Sequence, residues 1–349
     1  MCRPPLSYLA IALSLALGAC GEDTPTQSST LVPGNTASSL AATANSWAPI
    51  APMPGQNGDG PAVGVVPNEG GLSKAYVFGG TNGAGGSGAA TRVYDVAKNT
   101  WRVISNGTET RVFAFGLNGV GNIGDKLYFS GGQDYGTGTR EFTRATWAFD
   151  PVTETLTQKA DMPLLTAEGV SGVIDNRLYV LPGSCGTNLW PQAGYCQFEP
   201  IRKLFRYSPA SNQWVSKANA PHYHKGAVGG VIENKFYVVG GVDDQFQATR
   251  NLDVYDPATN TWKTLVPLPV VLNGLVGAVL RGQLFVVGTS SSGIRHYAYN
   301  PTNNKWVAKA APSIYGGPAA KVFLKGTSRM LVLQGATVDI GDHSQLYTP

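Results

Sequence analysis

The chain has 349 residues, of which 44 are glycine, 23 are proline and only 14% are charged. The glycine and proline content disfavours long helices, and the 42% hydrophobic content excludes a wholly disordered chain. The net charge is +4, and lysine and arginine are scattered rather than gathered in a basic stripe, so no nucleic acid is expected as a partner.

The first segment of the chain is typical of an export signal. Arg3 precedes an apolar stretch, residues 6–17, that is too short to span a bilayer comfortably. Residues 17–20, Leu-Gly-Ala-Cys, resemble a bacterial lipobox, and this resemblance implies a signal peptide over residues 1–19 and a lipid on Cys20. The alternative is an ordinary signal peptide that precedes a cysteine by chance. We expect an exported protein held in the cell envelope by its lipid, at the outer membrane and facing the periplasm or the surface.

The next segment predicts a tether, and the remaining cysteines predict a disulfide. Residues 21–44 are rich in Ser and Thr and contain no Lys or Arg, so residues 20–45 are predicted to be a lipidated cysteine and a flexible linker. Export leaves Cys185 and Cys196 in one segment rich in turn residues, and two such thiols are expected to pair. Two free buried thiols are the alternative.

From residue 46 onward the chain repeats itself. Each copy has an aromatic residue, then Asp, Ser or Asn, usually Pro, and a polar turn that closes on Trp or Leu, as in VYDPATNTW at 254–262. Apolar runs that end in glycine, such as Tyr237-Val238-Val239-Gly240-Gly241, lie between these copies. The closing residues, spaced about 52 residues apart on average, are Trp47, Trp101, Leu156, Trp214, Trp262 and Trp306.

These landmarks resemble the kelch repeat, in which each copy forms one four-stranded propeller blade. The resemblance implies an all-β fold: a six-bladed kelch β-propeller over residues 46–349, with four antiparallel strands per blade. Residues 42–47 copy the Pro-Ala-Thr-Asn-Thr-Trp of 257–262, and the chain ends with a third strand that has no Trp after it. We therefore expect the N-terminal strand to complete the last blade and leave no half-blade edge.

The register of the repeat predicts which residues surround one mouth of the ring. In kelch propellers, ligands usually bind at the face where loops lead into the inner strands. Glu168, Lys225 and Asn273 precede their inner strands by the same offset in three adjacent blades. The other residues expected at this polar funnel are Arg111, His222, Tyr223 and Tyr315. The alternative is a solvated rim with no ligand, because loop rims are polar by default.

A loop over residues 184–202 is a further candidate. It carries Trp190 and Tyr195 between Cys185 and Cys196, and Phe198 just after them, so we interpret it as a stapled recognition lid. A decoration that packs on its own blade is the alternative.

Metal and cofactor chemistry are not expected. The histidines are His222, His224, His296 and His343, and no third ligand is assured for the His-x-His pair. Galactose oxidase shares the repeat, but no residue here matches its copper centre convincingly. No phosphate-binding loop or nucleophile elbow occurs in a strand–helix context, so no cofactor is predicted.

One enzymatic alternative comes from the sialic acid mutarotases, which are also six-bladed kelch propellers. That family places a Glu soon after a blade-four glycine pair and an Arg several residues later. Here Arg250 matches the Arg, Val242 stands in place of the Glu, and Asp243 or Asp244 would have to substitute. An acid/base pair at these positions would open and reclose a sugar ring. Arg250 alternatively braces the third strand of its blade, as in non-enzymatic kelch proteins.

The prediction from sequence is therefore a monomeric, envelope-anchored propeller that acts as a binding scaffold for a protein or a glycan. A sugar mutarotase or epimerase is the alternative, and a purely structural envelope role comes third.

Overall fold

The computed structural model of the chain describes residues 43–54, 61–67, 73–79, 81–82, 86–87, 91–104, 116–134, 141–186, 199–313, 319–324, 327–333 and 344–349. No helix occurs in these ranges, and none of their segments could therefore cross a membrane as a long apolar helix. Every described residue belongs to the unit that spans Gly34–Pro349.

The strands follow one another with short turns, as the glycine and proline content predicts. In chain order they are β1 (Ser46–Pro49), β2 (Ala62–Pro67), β3 (Ser73–Phe78), β4 (Thr81–Asn82), β5 (Gly86–Ser87), β6 (Thr91–Asp95), β7 (Thr100–Ile104), β8 (Val120–Ile123), β9 (Lys126–Ser130), β10 (Gln133–Asp134), β11 (Glu141–Phe142), β12 (Thr146–Asp150), β13 (Thr155–Lys159), β14 (Thr166–Ala167), β15 (Val170–Ile174), β16 (Arg177–Leu181), β17 (Ser184–Cys185), β18 (Glu199–Pro200), β19 (Phe205–Ser208), β20 (Gln213–Ser216), β21 (Val228–Ile232), β22 (Lys235–Val239), β23 (Leu252–Asp256), β24 (Thr261–Thr264), β25 (Asn273–Leu280), β26 (Gln283–Ser290), β27 (Gly293–Asn300), β28 (Lys305–Ala308), β29 (Ala319–Leu324), β30 (Thr327–Val332) and β31 (Gln345–Thr348).

Six four-stranded antiparallel sheets form the blades of a β-propeller. From the inner to the outer strand they are β2-β3-β6-β7, β8-β9-β12-β13, β15-β16-β19-β20, β21-β22-β23-β24, β25-β26-β27-β28 and β29-β30-β31-β1, numbered here as blades one to six. The inner strands of neighbouring blades contact each other around the ring, and they line a central channel of about 520 Å³. The predicted fold is confirmed.

The N-terminal strand closes the ring, as the sequence predicts. Strand β1 pairs with β31, with Ser46 opposite Thr348 and Pro49 opposite Gln345. Just beyond the strand, the amide of Ile50 donates to the carbonyl of Ser344 at 3.1 Å. Blade six is thus built from both ends of the described propeller, so its outer edge is paired rather than open.

Glycines on the inner strands allow the blades to approach each other. A Cβ atom on Gly64 would lie 2.6 Å from Cγ1 of Val120 in blade two, and one on Gly172 would lie 2.7 Å from Cγ2 of Val231 in blade four. Real Cβ contacts are never this short, because such atoms overlap. The small residues of the inner strands are therefore required by the distance between blades.

The outer hairpins hold the blades together through a repeated arrangement that we call the clasp. In blade four, the indole Nε1 of Trp262 donates to the carbonyl of Ala218 at 2.8 Å, and the amide of Ala218 donates to Oδ1 of Asn260 at 3.1 Å. Ala218 follows the outer strand of blade three, so both of its backbone groups are gripped by the next blade. The same pairs recur as Trp101 and Asn99 on Ala51, Trp214 and Asn212 on Ala160, Trp306 and Asn304 on Val266, and Trp47 and Asn45 on Ala310.

Each clasp asparagine has a left-handed backbone, which Asn tolerates better than most residues. Asn260 has φ = 54°. Its Oδ1 also accepts a 2.7 Å hydrogen bond from the hydroxyl of Tyr255, whose pKa is raised to about 12 by burial, so this hydroxyl remains a donor at neutral pH. The polar turn at each repeat therefore serves both the hairpin and the contact between blades.

Blade two departs from the clasp in a coordinated way. Phe149, Glu154 and Leu156 stand where the other blades have Tyr, Asn and Trp, so the tyrosine hydroxyl and the indole N–H are both missing. Glu154 keeps the left-handed backbone at φ = 55° and forms an ion pair with Arg102 of blade one. A charged contact between side chains thus replaces the backbone grip at this blade boundary.

Candidate functional site

Three residues predicted at the mouth of the ring line one pocket in the structure. Glu168 lies two residues before β15, Lys225 lies three residues before β21, and Asn273 begins β25. Together with residues of the loops around them, they enclose about 280 Å³ between blades three, four and five. Pockets for drug-sized ligands measure about 300 to 1,000 Å³, so this pocket suits a group of about one sugar ring or one amino-acid side chain.

Glu168 and Lys225 form an ion pair across two blades. Their Oε2 and Nζ atoms are 3.0 Å apart, and about a fifth of each side chain is exposed. The hydroxyl of Ser184 donates to the same Oε2 at 3.2 Å. The charges are thus partly buried but reachable from the pocket.

Backbone contacts fix the position of Glu168. It has φ = 59°, an uncommon conformation for a residue with a side chain. Its amide donates to the carbonyl of Gly116 in blade two at 2.7 Å, and its carbonyl accepts from the amide of Gly226 in blade four at 2.9 Å. Glu168 therefore bridges three blades, and these contacts hold it in the left-handed conformation.

The glycine pair of blade four shapes the opposite wall of the pocket. Gly241 has φ = 83°, and a Cβ atom there would lie 2.5 Å from the carbonyl oxygen of Lys225. The next residue, Val242, donates its amide to that same carbonyl at 2.9 Å and also pairs with Ala248. The loop after the glycine pair is consequently held against the residue that supplies the ammonium group.

A polar cluster that the sequence did not predict lies in the same blade. Asp253 on β23 is fully buried, and its carboxylate faces three side chains. Nδ1 of His222 lies 2.9 Å and Nε2 of His224 lies 3.0 Å from Oδ2, while the hydroxyl of Thr264 donates to Oδ1 at 2.8 Å. Burial raises the pKa of Asp253, but the hydrogen bonds and the charge of His224 outweigh it and hold this pKa below its usual value.

The ring nitrogens of His224 link Asp253 to the backbone of the same blade. Its Nδ1 faces the carbonyl oxygen of Gly240 at 2.9 Å, and its Nε2 faces Asp253. Both neighbours are hydrogen-bond acceptors, so the imidazole ring spans the distance between the buried carboxylate and the main chain. His222 is about one third exposed and is oriented by the same carboxylate. The cluster anchors the loop that carries Lys225.

The residues considered for sugar-ring opening have structural contacts. Asp243 accepts hydrogen bonds at Oδ1 from the amides of Gln245 at 2.9 Å and Gln247 at 2.8 Å. Nη1 of Arg250 donates to the carbonyls of Leu268 and Pro269, which lead into blade five. Asp244 is exposed, and within the described part of the chain neither aspartate forms an ion pair with Arg250. Arg250 is thus a brace between blades.

Some of the remaining predicted site residues lie within the ranges that the structure describes, and others lie outside them. The guanidinium of Arg202 lies 5.2 Å from the ring centroid of Tyr223, the residue after His222. Cys185 is fully buried on β17. Arg111, Trp190, Cys196, Tyr315 and Cys20 lie outside the described residues, so the lid, the disulfide and the lipid stay predictions. Among the described residues, no three His, Cys, Asp or Glu side chains are arranged to hold a metal ion.

Comparisons with known proteins agree with this architecture. A family model described as the Kelch motif matches residues 224–269, which comprise blade four and its flanking loops. Kelch-like protein 38 of Rattus norvegicus and that of Mus musculus are each 26% identical over 149 residues. The matched region is 43% of this chain and 22% of either relative, so the chain corresponds to a minor part of those proteins.

A solved structure reported as "Structure of YjhT" is similar to this chain over most of both lengths. The TM-score is 0.63 at 15% identity, with 85% of this chain and 95% of the other covered. At that identity the likeness concerns the fold alone.

Proposed function

We propose that this six-bladed propeller, whose fourth blade matches the Kelch motif, is a binding scaffold whose ligand, a glycan or a protein, places one residue in the pocket between blades three, four and five. The observation that carries the proposal is the Glu168–Lys225 ion pair, which lies in the pocket wall beside Asn273. A partly buried charge pair offers both a hydrogen-bond acceptor and donors to a polar ligand. The described contacts of Glu168 keep these groups in place before the ligand arrives.

The proposal includes a location. A lipid on Cys20 would hold the propeller in the bacterial envelope, where the Ser- and Thr-rich linker lets it reach ligands. Two acyl signals or more give firm membrane attachment, whereas a single chain is reversible. Labelling with a radioactive fatty acid should mark the wild-type protein and leave Cys20→Ser unlabelled. Label on both proteins, or on neither, would refute the anchor without touching the binding proposal.

The test of binding compares the wild-type chain with a double variant that neutralises both members of the ion pair, so the net charge of the pocket stays zero. Glu168→Gln combined with Lys225→Met removes both charges, so no uncompensated ion remains. Lys263→Met, on the exposed outer strand of the same blade, is the matched control. We expect ligands recovered from arrays of bacterial glycans and peptides to bind the control as they bind wild type, and to bind the double variant much more weakly. Equal binding by all three proteins would refute the proposed site.

The enzymatic alternative is examined with the same ligands. If a reducing sugar binds, exchange NMR between its two anomers would reveal a mutarotase. The contacts of Asp243 and Arg250 do not favour this alternative, because each is committed to a turn or to a neighbouring blade. We therefore expect no acceleration of anomer exchange.

A further inference from the structure

An exposed aromatic residue in a strained conformation stands beside the pocket. Phe246 is 55% exposed, and its backbone has φ = 57°, which is an outlier for so bulky a residue. Strain of this kind persists only where surrounding structure imposes it, and it concentrates at functional sites. A phenylalanine at this turn contributes neither burial nor a favourable backbone, so stability does not explain it.

The turn that presents Phe246 is rigidly constructed. Oδ1 of Asp243 accepts hydrogen bonds from two amides of the turn, and the carbonyl of Asp243 accepts a third from the amide of Phe246 at 3.1 Å. The amide of Asp243 in turn donates to the carbonyl of Gln247 at 3.0 Å. At its base the turn is joined to the pocket wall through the pairing of Val242 with Lys225 and Ala248. Asp243 is therefore a positioning residue for the aromatic ring.

The ring and the ion pair share one partner. Nζ of Lys225 lies 5.1 Å from the ring centroid of Phe246 and 3.0 Å from Oε2 of Glu168. Glu168 and Lys225 are the only charged side chains among the described residues that line the pocket, so this wall is neutral overall. The rest of it is glycine and aliphatic surface with the Asn273 amide.

We propose that the pocket is a subsite for a neutral pyranose, with a C–H face of the sugar packed on Phe246 and adjacent hydroxyls bridging Glu168 and Lys225. This proposal rests on the proposed function and specifies its ligand class. A hydroxyl can both donate and accept a hydrogen bond. One sugar hydroxyl can therefore donate to the carboxylate of Glu168 while the adjacent hydroxyl accepts from the ammonium group of Lys225, and the ion pair does not have to separate. An apolar ring face against an aromatic side chain supplies the hydrophobic part of recognition.

The ion pair also argues against an acidic sugar. A carboxylate on the ligand would seek Lys225 and would meet the carboxylate of Glu168 3.0 Å away from that ammonium group. Like charges placed so close repel each other, and desolvating an additional charge costs free energy. The same reasoning disfavours a basic side chain, which would meet Lys225.

The test titrates methyl glycosides of glucose, galactose, mannose and N-acetylglucosamine, and separately glucuronic acid and N-acetylneuraminic acid, into the full chain by ligand-observed NMR. Phe246→Asn removes the ring and suits the left-handed backbone, and Phe246→Trp retains an aromatic face. Val152→Asn, at an 85% exposed position in a turn of blade two, is the matched control. We expect Phe246→Asn to weaken neutral-glycoside binding about tenfold and to raise Tm by about 2 °C, while the other two variants bind as wild type.

Three results would overturn the proposal. Preferential binding of the acidic sugars that still depends on Glu168 and Lys225 would refute the neutral ligand and leave the binding scaffold standing. Neutral binding that is unchanged in Phe246→Asn would refute the role of the ring. Absence of binding by any of these sugars up to their solubility limit would also refute the proposal, whereas the proposed function would then be decided by the peptide array and the double variant.

Discussion

The clasps of the outer hairpins and the pocket beside the axis differ in how often their residues recur. A Trp and an Asn grip the preceding blade in five of the six blades, with an ion pair in place of the grip at blade two. The pocket instead draws Glu168, Lys225 and Asn273 from three different blades, and each has its own neighbours. Residues that recur from one repeat to the next stabilise the contacts between blades, whereas residues that differ from blade to blade and remain partly exposed are available to bind a ligand. Changes in the clasp should therefore lower stability and leave binding unchanged, whereas changes in the pocket should affect binding more than stability.

The largest expected effect is the loss of one clasp. Trp262→Ala removes the indole donor to Ala218 and the ring packed 5.2 Å from that of Tyr255, so unfolding free energy should fall by about 4 kcal/mol in denaturant titration. Trp262→Phe keeps a ring but not the donor and should cost about 1 kcal/mol. Ligand affinity of the folded fraction should be unchanged in both. A large change in affinity would show that clasp and pocket are not separable.

Acidification should weaken the ring at the seam between blades five and six. His296 packs against Trp47 and Tyr347, and burial lowers its pKa to about 4 although its Nδ1 faces the carbonyl of Ala310. The unfolded chain binds a proton near pH 6.5 that the folded chain does not, so stability falls as pH drops from about 6.5 to 4, by about 3 kcal/mol in total.

The control for this pH effect is His296→Leu. It has no titratable group at the seam, so its stability should vary less over the same interval, whatever its absolute value. Denaturant titrations at several pH values between 4 and 7 measure both slopes. Parallel profiles of stability against pH in the two proteins would contradict the assignment of this pH effect to His296.

Loss of the predicted disulfide, which would lie near the pocket rather than near a clasp, should have a smaller effect on stability. Cys185 lies on β17 next to Ser184, whose hydroxyl contacts Glu168. Removing the bond by Cys196→Ser should cost at most about 3 kcal/mol, because the closed loop is short, and should weaken ligand binding more than it weakens the blades. Labelling the unreduced, denatured protein with a thiol reagent is the direct check. Two reactive cysteines in the mature wild-type chain would refute the bond.

The framework of the propeller was predictable because each blade needs the same residue types at the same positions. The closing residues, five Trp and one Leu spaced about 52 residues apart on average, the glycine-rich inner strands and the copy of a blade terminus at residues 42–47 predict six blades and the closing strand. The gripping of Ala218 by Trp262 and Asn260 was not predicted. Ala218 has no distinctive feature in the sequence, and only closure of the propeller ring places its backbone next to Trp262 and Asn260.

The site was predictable only where it follows the register of the repeat. Glu168, Lys225 and Asn273 each stand directly before a glycine at the entry to an inner strand, and the structure brings them to one pocket although their distances from the strand starts differ. Asp253 was missed because a carboxylate within a third strand has no distinctive spacing from His222 and His224 in sequence. Phe246 was missed because its significance lies in a backbone angle of 57°, which the residue type itself disfavours.

The most direct test of the central claim, that ligands bind at the residues that break the repeat, is a map of backbone amide chemical shifts with and without the strongest binder from the arrays. We expect changes centred on Gly226, Gly241 and Gly274, with smaller ones along the turn that carries Phe246. Changes centred instead on the walls of the central channel, or on the clasps, would contradict it.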